Sequence, residues 1–270
     1  MSHIGNYLES LFSLKGKVIL LTGAVGGIGQ AFARGLAAAG GCVAMCDIDS
    51  EKCEKAALQL NGDGLDANAY KLDVSNIASI KECVGSVIAD YEKIDVLINC
   101  AGINKREGFL DVDEETYDRI MGVNLKGAFM LSQEVVKHMI KRKQGNIINI
   151  GSHNDEGMLG GCSVYGAAKS GLRALTRSMA VEWAKHGIRA NALSPGHIIT
   201  PLTSVTWEHP TRSEYLTERI AMQRPGEPEE LVGMCIMLAS DASSYMSGQA
   251  YHIDGGYLCG GNPWDFDTEY

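Results

Sequence analysis

The sequence predicts an α/β fold: one doubly wound, parallel sheet of seven strands in a single domain spanning residues 1–270. Three observations predict it. Short apolar runs alternate with helical stretches along the whole chain, the pattern of repeated strand–helix–strand units. Runs such as residues 17–22 (KVILLT) are apolar at consecutive positions, as strands covered on both faces are. A glycine-rich turn joins the first strand to the first long helix, where open sheets of this kind hold ligands.

The elements follow in order. In the lead-in, residues 1–16, Tyr7, Leu8, Leu11 and Phe12 share one helical face and are expected to pack on the body or on a partner subunit. The strand at 17–22 runs into Gly23-Ala24-Val25-Gly26-Gly27-Ile28-Gly29 and a helix at 30–39. Glycines let backbone approach a pyrophosphate with no Cβ in the way, and the helix N-terminus presents unpaired N–H groups to it. A second strand, 42–47, ends on Asp47, about 20 residues past the glycines. A carboxylate there accepts both hydroxyls of an adenosine ribose and repels a 2′-phosphate. No Lys or Arg stands in 23–29 or 47–50 to counter it, so NAD is expected over NADP. Asp49 or Ser50 is better placed than Asp47 to cap the next helix.

A third strand is expected at 69–72, with Asp73 at its tip. Asp73 either bonds an adenine amino group or caps the helix at 77–91. The fourth strand, 95–99, runs into Cys100-Ala101-Gly102, whose small side chains leave room beside an adenosine. Residues 116–141 read as one long amphipathic helix with Asn124 inside it. Asn is unfavourable there unless its side chain faces solvent or has a task.

The fifth strand, with its apolar run at 146–150, ends in Ser152, and a polar, glycine-rich loop leads to a helix opened by Tyr165. Tyr165 and Lys169 are four apart and so share a helix face, one turn from each other. An ammonium there favours the tyrosinate and pulls a pKa near 10 toward neutrality. A phenol so tuned passes a proton at neutral pH. The sixth strand, 189–194, enters a rigid turn at 195–201. Residues 200–224 are expected to be a substrate lid without regular period. A helix at 229–238, a seventh strand at 250–253 and an acidic, aromatic tail at 257–270 complete the chain. The tail is expected over the active site or on a neighbouring subunit.

Composition narrows the function. The net charge is −9 and no basic run occurs, which argues against nucleic acid. No apolar run reaches about 18 residues, so no membrane span is expected. The start, MSHIGNYLES, lacks a signal-peptide pattern. The eight cysteines form no C-x-x-C and read as small buried hydrophobes of a reducing cytosol, not disulfides or zinc ligands. A cytoplasmic protein with no metal is expected.

Taken together, these motifs resemble the short-chain dehydrogenase/reductase family over nearly the whole chain. The family's T-G-x-x-x-G-I-G is residues 22–29, and its N-N-A-G appears as N-C-A-G at 99–102. Its catalytic tetrad maps onto Asn124, Ser152, Tyr165 and Lys169, and its P-G-x-x-x-T onto 195–200. The resemblance implies a Rossmann-type fold and hydride transfer between an alcohol or carbonyl carbon and a nicotinamide. It implies Tyr165 as general acid/base, Ser152 holding the substrate oxygen, Lys169 lowering the phenol pKa and bonding the nicotinamide ribose, and Asn124 carrying a water. It places the glycine turn (Gly23, Gly27, Ile28, Gly29) on the pyrophosphate and Ile198 and Thr200 on the carboxamide. It places Asp73 and Val74 by the adenine, Asn99 and Gly102 on the adenosine side, and implies a homotetramer.

For the substrate, the loops expected to line the pocket carry Asn104, Lys105, Arg106, His153, Asn154, Asp155, Glu156, His197, Trp207, His209 and Arg212. Such a lining suits a sugar, polyol or sugar acid better than an acyl chain. Arg106, His153, Asn154 and His197 are the expected substrate residues, with Lys105 or Arg106 anchoring an anionic end. The lead-in and the stretches TPLT and QRPGEPEELVG are similar to the gluconate 5-dehydrogenase and keto-deoxygluconate oxidoreductase group. Two other readings are a reductase of 3-oxoacyl thioesters and a silent NAD-sensing regulator. Asp47 argues against the first, and the intact Tyr165–Lys169 pair against the second.

Overall fold

The computed structural model describes residues 3–260. Among them, seven strands form one parallel sheet: β1 (Val18–Thr22), β2 (Cys42–Asp47), β3 (Ala67–Lys71), β4 (Val96–Asn99), β5 (Gly145–Ile150), β6 (Ile188–Pro195) and β7 (Ala250–Ile253). Their spatial order is β3-β2-β1-β4-β5-β6-β7. The winding reverses between β1 and β4, and a crevice opens there at the carboxyl ends of the strands.

The strand period of two sorts the core. On β1, Ile19 and Leu21 face one layer with Phe32, Leu36 and Leu238. Val18 and Leu20 face the other, with Ile80, Val84, Leu131 and Val135. The first layer is closed by α2 (Gly27–Ala38), α3 (Ser50–Gly62) and α10 (Val232–Ala239). The second is closed by α4 (Ile77–Tyr91), α6 (Ala128–Arg142) and α7 (Ser163–Trp183). Each fully buried Leu or Ile contributes roughly 1.5–3 kcal/mol, so continuous apolar strands hold the sheet between two helical layers.

Several boundaries differ from expectation, each for a local reason. α2 starts at Gly27, because the glycines themselves form its first turn. β3 lies at 67–71 rather than 69–72; it is an edge strand, half-exposed, so its apolar pattern is weak. The expected long helix is two: α5 (Glu114–Met121) and α6, joined by a π-helical turn at Gly122–Gly127. Asn124 sits in that turn, and π turns of this kind cluster at functional sites. The segment at 200–224 holds two short helices, α8 (Ser204–Trp207) and α9 (Pro210–Thr217). The helix expected at 229–238 is a 3-10 turn, Pro228–Leu231, followed by α10.

The lead-in is helical, α1 (His3–Phe12), but its apolar face does not close on its own chain: Ile4 and Tyr7 are 73% and 65% exposed. All eight cysteines are unpaired, and most are buried, but Cys259 is exposed and Cys42 and Cys100 only half-buried. No helix among the described residues is long and apolar enough to cross a membrane. Most of the expected tail, from residue 261 on, lies outside the described residues.

Candidate active site

The glycine turn is shaped by contacts that admit no side chain. Gly23 has φ +65°, and a Cβ there would stand 2.8 Å from Ala101 Cα. A Cβ on Gly29 would stand 2.1 Å from the Gly23 carbonyl oxygen. Gly27 backs onto Thr200, so the turn touches both the loop after β4 and the loop after β6. Thr22 Oγ1 accepts from the N–H groups of Cys100 and Ala101 at 3.0 and 2.9 Å and pins the first of these loops. Ile28 lies in the first turn of α2, which opens at Gly26 with no side-chain cap, leaving its N-terminal N–H groups to a ligand. The cradle fits a dinucleotide pyrophosphate.

The flanking acids take distinct places. Asp47 accepts from Val25 N and Asp49 N, each at 3.2 Å, and stands at the tip of β2 beside the turn. Asp49, not Asp47, caps α3 by accepting from Lys52 N. Asp73 accepts from Ser75 N and Ser75 Oγ, and Asn76 caps α4, so Asp73 is not a helix cap. Val74, beside it, is buried against Gly127, where a Cβ would meet the Val74 carbonyl at 2.7 Å. Asn99 Nδ2 donates to Ser132 Oγ and Asn149 Oδ1, while its own Oδ1 is buried without a partner.

The tetrad residues converge at the ends of β4 and β5. Asn124 Nδ2 donates to Ile103 O at 2.8 Å and Ile120 O at 2.9 Å, and its Oδ1 accepts from Ile103 N. Both its donors are engaged, so the side chain holds the π turn to the loop after Gly102. Ser152 Oγ caps the 3-10 turn His153–Asp155 by accepting from Asn154 N. Lys169 Nζ lies 5.6 Å from the Tyr165 ring centre, as the four-residue spacing requires, and donates to Ile150 O at 2.7 Å.

The expected tuning of the phenol is corrected by the structure. Burial pushes Tyr165 up to about 12, against a downward pull from the Ser152 hydroxyl. Burial also brings Lys169 down to about 8, because an ammonium loses its hydration there. Desolvation outweighs the pull of the Ser152 hydroxyl on Tyr165, and it shifts both groups toward their neutral forms.

Beside Tyr165 opens a cavity of about 830 Å³. Asn104, Arg106, Ser152, His153, Asn154 and His197 line it, with Ile198 at its edge and Trp207 and Arg212 from the segment at 200–224. Four rings cluster at its inner end. His153 and His197 have centroids 4.4 Å apart, and Tyr257 stands edge-on to both at 4.9 and 4.7 Å. Trp207 meets His197 edge-on at 5.9 Å. Several buried polar atoms here have no hydrogen-bond partner: both ring nitrogens of His153, His197 Nε2, Trp207 Nε1, Asn154 Oδ1, Asn104 Oδ1 and Glu107 Oε2. Burial, and then the neighbouring His153, lower the His197 pKa to about 3. Burial likewise lowers His153, so both rings are neutral and each can donate and accept.

Four of the expected lining residues lie elsewhere. Lys105 pairs with Glu107 at 2.7 Å. Glu156 pairs with Arg173 at 2.8 Å. His209 is exposed, at the N-terminus of α9. Asp155 is buried behind the site, bonded to Ser194 and His252. Tyr257, the first residue of the tail expected over the active site, packs on His153 and His197 without lining the cavity itself. The turn at Asp254-Gly255-Gly256, which folds the chain back over β7, brings it there.

Residues 23–258 match the family model described as enoyl-(acyl carrier protein) reductase. The chain belongs to the short-chain dehydrogenase/reductase family. It is an oxidoreductase and takes a nicotinamide cofactor. It is 37% identical over 251 residues to 5-keto-D-gluconate 5-reductase of Escherichia coli (strain K12), covering 93% of this chain and 99% of the relative. It is 40% identical over 247 residues to the 3-oxoacyl-[acyl-carrier-protein] reductase of Thermotoga maritima, covering 91% and 99%. The crystal structure of a gluconate 5-dehydrogenase from Burkholderia cenocepacia J2315 in complex with NADP and tartrate is 36% identical, with a TM-score of 0.91 over 94% of this chain and 99% of that one.

Proposed function

We propose that this chain is an NAD-dependent dehydrogenase of a sugar, polyol or sugar acid, interconverting a secondary alcohol and a ketone, or a hemiacetal and its oxidised form. The observation that carries the reading is the polar lining of the cavity beside Tyr165: Asn104, Arg106, Ser152, His153, Asn154 and His197. A polyhydroxylated substrate hydrogen-bonds such side chains, each bond contributing about 0.5–1.5 kcal/mol. An acyl chain would leave them buried and unpaired, which disfavours the thioester-reductase reading. The sugar-acid names of the Escherichia coli and Burkholderia relatives support the same class.

The nicotinamide, when bound, supplies the hydride acceptor or donor. Tyr165 Oη gives its proton to the carbonyl oxygen in reduction, and in oxidation its deprotonated form takes the proton from the substrate hydroxyl. Ser152 Oγ holds the same oxygen. Lys169, charged below about pH 8, stands by the phenol and reaches the cofactor ribose. Asn124 holds the loop after Gly102 against α5. Gly23, Gly27, Ile28 and Gly29 form the pyrophosphate cradle, and Ile198 and Thr200 meet the carboxamide. Val74 and Asp73 flank the adenine, with Asn99 and Gly102 on the adenosine side. His153, Asn154 and His197 bond substrate hydroxyls, and Arg106, at the mouth, meets an anionic end.

Asp47 supports NAD over NADP, because its carboxylate would face a 2′-phosphate and no cation stands beside it in 47–50. The related Burkholderia structure holds NADP, so cofactor choice is the first thing to measure. We also propose a cytoplasmic homotetramer, in keeping with the family, with the segment at 200–224 as its lid. The test is a panel of sugars, aldonic acids and polyols with NAD and with NADP, followed by reduced-nicotinamide absorbance. Turnover of hydroxy acids or polyols with NAD is expected. Turnover confined to acyl thioesters with NADPH would overturn the reading.

A further inference from the structure

We propose that Asp155 is a positioning residue for the catalytic turn: its buried carboxylate fastens the turn that carries Ser152 to β6, β7 and α7, and thereby sets where Ser152 stands against Tyr165. The proposal rests on the roles just given to those two residues.

The Asp155 side chain is fully buried, with 0% exposure. Its Oδ2 accepts from Ser194 Oγ on β6 at 2.6 Å. Its Oδ1 lies 3.0 Å from His252 Nε2 on β7 and 3.6 Å from Arg173 on α7. Its backbone N–H donates to Ser152 O at 2.8 Å, and its carbonyl accepts from Ser170 Oγ on α7. Three elements that converge on the site are thus joined at one side chain, three residues past Ser152. The Ser194–Asp155 bond crosses directly over Gly151, the residue before Ser152. A Cβ on Gly151 would stand 2.3 Å from Ser194 Oγ and 2.9 Å from Asp155 Oδ2. The end of β5 is therefore clamped where the catalytic serine leaves it.

The clustering of Asp155, Glu156 and His252 is also a spacing that holds metal ions. Here Arg173 supplies the positive charge, paired to both acids. The geometry therefore reads as a clamp.

The clamp also acts through charge. The carboxylate raises the pKa of Tyr165 and of Lys169. The other groups acting on that pair are Ser152, Cys100 and Cys162, while Arg173, His252 and Glu156 face Asp155 itself. Removing its charge lowers both pKa values, so the rising limb of alcohol oxidation moves to lower pH.

The experiment uses the full chain, with D-gluconate and NAD or NADP as the probe. Asp155→Asn is expected to lower kcat about tenfold or more with KM changed far less, and to shift the rising limb down by roughly half a pH unit. Ser194→Ala, which removes one tether and keeps the charge, is expected to lower kcat several-fold with the limb unmoved and cofactor Kd unchanged. Lys169 is also titrated by carbon NMR of its ε-methylene, assigned with Lys169→Met, which needs neither substrate nor cofactor; its pKa is expected to fall in Asp155→Asn. An unmoved Lys169 titration, or a kcat loss in either variant matched by equal losses of cofactor binding and thermal stability, overturns the proposal. Should Asp155→Asn fail to fold, unchanged kcat in Ser194→Ala overturns it alone. Tyr165→Phe separates the layers: retained turnover there defeats the proton-transfer reading, while the lysine titration still judges Asp155.

Discussion

The two halves of the crevice are built on opposite terms. On the cofactor side, around β1, β2 and β4, shape is set by backbone: three glycines whose Cβ atoms would collide with Ala101, Thr200 or the turn itself. The polar side chains there are largely engaged, as Thr22, Asn124 and Asp47 show. On the substrate side, between β5, β6 and the segment at 200–224, shape is set by rings, and several polar atoms are buried with no partner. The first half is a preformed cradle for a constant ligand. The second is lined by polar side chains that a particular ligand engages. A fold that keeps one cofactor and varies its substrate divides in this way, because backbone contacts tolerate no change whereas side chains do.

The division can be broken at four places. Tyr165→Phe is expected to cost about a hundredfold to ten-thousandfold in turnover with cofactor Kd unchanged, since the phenol joins the halves without building either; steady-state rates and fluorescence titration check it. Gly29→Ala is expected to destabilise by about 1–3 kcal/mol and to abolish the thermal shift on adding cofactor, because the new methyl meets the Gly23 carbonyl. Trp207→Phe keeps the ring and removes the unpartnered N–H. It is expected to lower kcat/KM about tenfold for a hydroxylated substrate, leaving cofactor affinity and melting temperature unharmed. A melting temperature that falls would show the indole N–H to be a structural donor.

The fourth place is read in acid. His197 is held near pKa 3 in the fold, while the unfolded chain titrates near 6.5. Between those values the unfolded state takes up the proton and the folded state does not, so stability declines as pH falls through that window. His197→Asn is expected to flatten the decline, read as melting temperature against pH. An unchanged slope would assign the acid sensitivity to other groups.

How much was legible follows the same division. The glycine turn, Asp47 and the Tyr165–Lys169 spacing could be read because they depend on neighbours close in sequence. The lining of the substrate cavity was read in part. Asn104, Arg106, His153, Asn154 and His197 face it as expected, because each lies in a loop that leaves the carboxyl end of a strand. Lys105 and Glu156 turn away because Glu107, two residues past Lys105, and Arg173, on α7, claim their charges. Asn124 announced itself by being out of place in a helix, but nothing local revealed the π turn it supports.

By itself, then, the chain determined what periodicity and steric fit decide: seven strands of one parallel sheet, the turn where a side chain cannot go, and a phenol one helical turn from an ammonium. Only the packed molecule decided which charges are buried and which polar atoms stay unmet. The burial that raises Tyr165, depresses Lys169 and seals Asp155 behind Ser152 comes from elements far apart in sequence. Desolvation is a property of everything that surrounds a group, and no stretch of chain contains its own surroundings.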